Sequence, residues 1–174
     1  MNKIQHKKEY HFMKRLLVAF IGLVSVGEVM ASEPIQLSLV PDVAIYKKTE
    51  RIEGVALSIW GENPQSGLAL GFVNGSTGDS SGLSWSYIIN YAENYKGVQW
   101  AMANYTKGNL TGWQAGAVNY AGKLNGLQLG MVNYAATGDS GVQVGFLNIF
   151  PENKWFSGLP DKLAPGMIFV NWSF

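Results

Sequence analysis

One eight-residue phrase, clearest as GLQLGMVN at residues 126–133, recurs along this chain and limits its folds more than any other feature. Copies begin at Gly54, Gly67, Gly82, Gly97, Gly112, Gly126 and Gly141, so successive starts lie 13, 15, 15, 15, 14 and 15 residues apart. A short, nearly fixed period means that one burial problem is solved once per copy. Within each copy apolar residues alternate with small or polar ones, the period of a strand and not of a helix. Turn formers separate the copies: Pro64, Gly75 to Ser81, Lys107-Gly-Asn, Thr137-Gly-Asp-Ser and Pro151-Glu-Asn. No helical stripe follows residue 31, so the fold class is all-β.

The two faces of the phrase differ. One carries Leu68, Leu70 and Phe72; Leu83, Trp85 and Tyr87; Val98, Trp100 and Met102; Leu127, Leu129 and Met131; Val142, Val144 and Phe146. The other carries Ala69, Ser84, Ser86 and Ala101, the glutamines Gln99, Gln114, Gln128 and Gln143, and Gly71, Gly116, Gly130 and Gly145. The fifth repeat, with Trp113, Ala115 and Ala117, is the weakest on the bulky side.

Two architectures fit. In an antiparallel meander each repeat is one strand plus one hairpin loop. In a parallel β-solenoid each repeat is one coil, and Asn74, Asn90, Asn104, Asn119, Asn133 and Asn148 stack as a ladder. A coil must carry the chain back across a strand of about 8 residues, roughly 26 Å. Segments such as GSTGDSS and AATGDS have turn composition and not return-strand composition. The connections after repeats two, four and six share a central glycine (Gly78, Gly108, Gly138), an every-other-loop pattern natural to up-and-down strands. We therefore expect a meander closing into a small barrel of about 8–10 strands, with the parallel β-solenoid as the alternative.

Composition decides which face looks inward. Charged residues make up 14% of the chain, low against the usual quarter or so, and the amide face offers few groups suited to water. Turned outward, the bulky face meets lipid through Leu68, Leu70, Phe72, Leu127, Leu129, Met131, Val142, Val144 and Phe146. The glutamines Gln99, Gln114, Gln128 and Gln143 then line a narrow lumen, satisfying one another or a solute. Tyr91, Tyr105, Tyr120 and Tyr134, each following a repeat asparagine, are candidates for interfacial belts.

Both ends of the chain agree with an envelope protein. Lys3, Lys7, Lys8, Lys14 and Arg15 precede the apolar run Leu16 to Val26, and Val29-Met30-Ala31 supplies small residues, the layout of a signal peptide over residues 1–31. Translation from Met13 would leave a shorter leader of the same kind. The domain expected is 32–174, with net charge (13 − 5) − (12 − 2) = −2 and no basic cluster, which argues against nucleic acid. Both histidines fall in the leader and there is no cysteine, which removes thiol and imidazole chemistry. Asp79 and Asp139 sit in equivalent Thr-Gly-Asp-Ser segments, where turn stabilisation explains them better than calcium. No catalytic, metal or cofactor residues are expected.

The closing GMIFVNWSF, with Ile168, Val170, Trp172 and Phe174 on one face, resembles the terminal β-signal of bacterial outer-membrane barrels. "PIQLSLVPDVAIY", "IEGVALSIWGEN" and the serial copies of "GLQLGMVNYA" resemble bacterial surface-repeat proteins built on G-[LV]-Q-[LV]-G-[LMF]-[VL]-N. That resemblance covers nearly all of residues 34–174 and implies an exported, envelope-associated protein; it brings no catalytic residues. Repeats one and three depart from the pattern, with Gly61 in the asparagine slot and one extra residue in Tyr87-Ile-Ile-Asn90. The expected function is a non-enzymatic outer-membrane barrel with a structural or narrow-pore role, inserted into the bilayer by the barrel-assembly machinery. The alternative is a secreted surface-repeat solenoid acting as an interaction module.

Overall fold

The structure, a computed structural model, describes residues 32–153 and 165–173; the leader read at 1–31 and the terminal Phe174 lie outside them. Its strands are β1 (Glu33–Val40), β2 (Val43–Ala44), β3 (Ile52–Glu62), β4 (Ser66–Trp100), β5 (Ala103–Ala115), β6 (Val118–Ile149) and β7 (Gly166–Ser173). The chain is all-β, as the alternation requires, but it does not close into a barrel. β1, β3, β4, β5 and β6 pair in parallel, with like repeat positions side by side: Leu57 with Leu70, Gln99 with Gln114, Gln114 with Gln128. This is the pairing of a β-solenoid. β4 and β6 have 35 and 32 residues; at about 3.3 Å per residue either would exceed 100 Å if straight, so each winds more than once around the axis. Five full coils start at Gly67, Gly82, Gly97, Gly112 and Gly126, preceded by a shorter one from Gly54.

The expectation of an antiparallel meander is thus corrected, and the reason is local. The eight-residue phrase is not one straight strand. The chain bends inside it, at Ala101–Met102 and at Gly116–Ala117, so each coil turns a corner after about five residues and the return leg is shorter than an eight-residue strand demands. Backbone pairing continues around the corner, where Gly116 N donates to Leu129 O at 3.0 Å and Met131 N to Ala117 O at 3.0 Å. In the later coils the corner position is glycine because space is short, a Cβ on Gly130 pressing into the carbonyl oxygen of Gly116 one coil below, whereas Ser86 and Ala101 hold the same position in earlier coils. The variation in repeat length is absorbed by irregularities on the return leg, between Ala92 and Tyr95 and between Thr106 and Asn109, and carries no up-and-down signal.

The interior is built from columns of identical residues. Gln99, Gln114, Gln128 and Gln143 stack along one wall, each at most 1% exposed. The Nε2 of Gln114, Gln128 and Gln143 donates to the Oε1 of the glutamine one coil earlier, at 2.8–2.9 Å, while Gln99 Nε2, at the start of the column, has no partner among the described residues. The same three also donate across the coil, from Gln114 to Tyr120 O, from Gln128 to Tyr134 O and from Gln143 to Ile149 O. On the facing wall Asn90 donates to Asn104, Asn104 to Asn119, Asn119 to Asn133 and Asn133 to Asn148, at 2.8–2.9 Å. Main-chain carbonyls can only accept, and those of Ala115, Leu129 and Val144 bind the Nδ2 of Asn104, Asn119 and Asn133. That pins the amide orientation: the glutamine column donates toward the N-terminus, the asparagine column toward the C-terminus.

A third interior column is apolar. Ala92, Tyr95, Leu110, Ala121, Leu124, Ala135 and Phe150 form one cluster, and Ile52, Ala56 and Ala69 form a second near β1 with Tyr46 against it. Tyr95 is the one member of the first cluster with a polar tip, and its hydroxyl is buried with no hydrogen-bond partner. Burial pushes that phenol well above its ordinary value. A proton held more tightly in the folded than in the unfolded chain stabilises fully below the unfolded pKa of about 10, and this is lost as pH rises beyond it. Tyr95→Phe is therefore expected to leave stability unchanged or raise it by up to ~1 kcal/mol near neutrality, and to blunt the alkaline loss. Urea titrations of both proteins at neutral pH and above pH 10 check this; a variant less stable than wild type at both would show an unseen partner for the hydroxyl.

Both ends of the stack carry antiparallel strands. β2 pairs with β1, and β7 lies on the last turn of β6 with Val142 opposite Trp172 and Val144 opposite Val170. β7 therefore closes no barrel; Ile168, Val170 and Trp172, read from the sequence as part of a terminal β-signal with Phe174, lie on the strand that covers the last coil. Asn153 ties the end down, donating to Asn171 Oδ1 at 2.9 Å and to Trp172 O. Such terminal caps are what a repeat stack uses against end-to-end growth.

Candidate interaction face

Because Gln, Asn and Gly fill the inside of each coil, the bulky residues of the phrase have nowhere to go but outward. Three outward columns run along one side of the solenoid. The first holds Val55, Leu68, Leu83, Val98, Trp113, Leu127 and Val142; the second Leu57, Leu70, Trp85, Trp100, Ala115, Leu129 and Val144; the third, at the corner, Ile59, Phe72, Tyr87, Met102, Ala117, Met131 and Phe146. β7 continues them with Ile168, Val170 and Trp172. None of these positions is charged. The acidic and basic residues Glu93, Lys107, Lys123 and Asp139 follow the asparagine, on the return leg, where Lys123 and Asp139 pair.

Of the residues expected to face lipid, the structure exposes Phe72, Leu129, Met131, Val144 and Phe146 and half-buries Leu68, Leu70, Leu127 and Val142 between neighbouring rows. Ile168 and Val170 are exposed and Trp172 is half-buried. Gln99, Gln114, Gln128 and Gln143 line no lumen; they are hydrogen-bonded inside a filled stack. Exposure is high along its whole length, with Tyr87, Trp100, Met102, Met131 and Phe146 all between 60% and 70% exposed. Phe72 and Tyr87 meet edge to face, with ring centroids 6.0 Å apart. An open groove of about 680 Å³ runs among Leu57, Leu70, Phe72, Trp85, Trp100 and Met102 and reaches Gly116 and Ala117. Of the fifth repeat the groove touches Gly116 and Ala117, and Trp113 in the same repeat is 56% exposed.

The tyrosines sit elsewhere. Tyr105, Tyr120 and Tyr134 stack on the return leg at centroid separations of 4.8 and 5.2 Å. Tyr91 instead accepts from Trp60 Nε1 and donates to Glu62, both at 3.0 Å, and its partial burial raises its pKa. They form a column along one side and not two belts.

No histidine and no cysteine lies among the described residues. No group of three or more His, Cys, Asp or Glu side chains converges there. No described helix is long and apolar enough to cross a membrane. No family model matches the chain, and comparison with curated proteins and with solved structures finds none similar to it.

Proposed function

We propose that this protein is a non-catalytic interaction module of the bacterial surface, an exported surface-repeat solenoid whose working part is the apolar face. One observation carries the reading: a regular, uncharged sheet face rich in exposed aromatic residues, Trp85, Tyr87, Trp100 and Trp113 among them. Monomeric soluble proteins rarely leave contiguous apolar patches beyond a few hundred Å² uncovered, and aromatic side chains are the usual anchors of interfaces. The leader-like residues 1–31 and the surface-repeat resemblance support export, and the hydrogen-bonded amides inside each coil favour a module over a pore.

Site-specific photo-crosslinking in intact cells tests this. A photoreactive phenylalanine analogue placed at Phe72 or Met131 is expected to give a discrete adduct, whereas the same group at Lys107 on the return leg gives none. Equal labelling at both places, or at neither, would remove the apolar face from the function.

A further inference from the structure

The apolar surface extends beyond the three columns already described. β1 adds a row, with Ile35 beside Val55 and Leu37 beside Leu57. Nor does the surface stop at the corner. Along a straight strand consecutive side chains point to opposite faces, yet Ile59 and Trp60, Ala117 and Val118, and Phe146 and Leu147 are exposed in consecutive pairs. The second member of each pair belongs to a fourth outward column on the far side of the corner, where Trp60 lies beside Val73 and Ala103 beside Val118. That column is uncharged too. Two residues further along come the stacked tyrosines Tyr105, Tyr120 and Tyr134, and beyond them Lys107 and Lys123. On the opposite margin Lys96, Thr111 and Asn125 stand side by side, just before the first column. Polarity thus rises in both directions from an apolar, convex edge.

Area and shape select what covers it. Seven repeats with β1 and β7 make nine rows. At about 4.8 Å per row and about 6.6 Å per column, the three columns before the corner cover roughly 850 Å², and the fourth adds about 200 Å² beyond it. The larger side meets the roughly 800 Å² that one partner contributes to a stable interface. A second copy laid upon it, however, leaves Trp60, Val118 and Leu147 against water. A bilayer deforms around an edge, takes apolar residues below its headgroups and takes tyrosines at their level. The tyrosines follow the fourth column by about 7 Å, within the 5–10 Å or so to which apolar faces sink into the headgroup boundary. Resting on the apolar face as the working part, we infer that its partner is a lipid bilayer. The solenoid lies along the membrane surface with this corner downward and does not cross it.

Purified full-length chain is expected to float with vesicles of phosphatidylcholine alone, and added salt should not weaken the binding, because the buried surface carries no charge. Trp100→Lys, before the corner, and Val118→Lys, beyond it, should each cut the bound fraction about tenfold or more. Both positions are exposed, so far-ultraviolet circular dichroism should be unchanged; Lys107→Ala should bind as wild type does. Loss in Trp100→Lys alone overturns the corner, and binding that survives both lysines comes from elsewhere in the chain and overturns the inference. So does an absence of flotation. A protein adduct from the photoreactive group at Phe72 would then keep the apolar face as an interaction surface for protein, whereas no adduct would remove both readings.

Discussion

Replacing Asn119 with leucine is expected to unfold the protein or bring it close to unfolding. The side chain is completely buried. Its Nδ2 donates to Leu129 O at 2.9 Å and to Asn133 Oδ1 at 2.8 Å, and its Oδ1 accepts from Asn104 Nδ2 at 2.9 Å. Leucine has the branching of asparagine but is bulkier and has none of its polarity, so three groups on neighbouring coils lose a partner in a space that water does not reach. Asn133 Oδ1 is left unpaired, which costs about 1–3 kcal/mol, while Leu129 O keeps Gly116 N and Asn104 Nδ2 keeps Ala115 O, each losing one bond of about 1 kcal/mol. Together these put the loss at about 4 kcal/mol, against a whole-domain stability of about 5–15 kcal/mol. Urea denaturation followed by circular dichroism measures it. Met131→Ser, on the exposed face, should shift stability by no more than ~0.5 kcal/mol. A loss below ~1 kcal/mol at Asn119 would mean that the asparagine column is not what joins the coils.

Gly126→Ala should be worse. Gly126 has φ of 142°, a conformation that residues with a Cβ rarely adopt, and a Cβ there would overlap the carbonyl oxygen of Gly112 in the coil below. Neither problem can be relieved by rotating a side chain, because the obstruction is backbone on both sides. The coil would have to move away from its neighbour, and the glutamine and asparagine bonds on either side would lengthen together. We expect no soluble folded protein from this single methyl group. Gly78 is the control: it also has positive φ, at 59°, but a Cβ there meets nothing within 4 Å. Gly78→Ala should then cost only the conformational part, about 1 kcal/mol. Comparable expression and melting temperatures for the two variants would refute the close-packing account of the repeat glycines.

These two columns also explain what could be read in advance. Alternation along GLQLGMVN assigns Gln128 and Gly130 to one side and Leu127 and Leu129 to the other whatever the strand does next, so all-β structure and inward amides follow in a barrel and in a solenoid alike. The direction of the next strand does not follow, because a hairpin and a coil leave the same alternation behind. What separates them is the bend at Gly116–Ala117, and glycine at that position reads equally well as relief of crowding in a lumen. The serial asparagines were the better guide: in a barrel they have no common partner, whereas in a parallel stack each lies one coil from the next. The outward face was legible in kind, as an uncharged bulky column set. Which of its residues adjoin was not, because Trp100 and Ala115 lie fifteen residues apart and become neighbours only through parallel register.

The opposed sense of the two amide columns has a further consequence. Stacked amides polarise one another, so a single column pointing one way would build up an axial field that grows with every coil, as a helix does over its first turns. Here each added coil contributes one amide step in each direction, and the contributions oppose. Length is thereby uncoupled from electrostatics. A gene that duplicated or lost a fifteen-residue unit would lengthen or shorten the stack without charging its ends, and the same two caps would still fit.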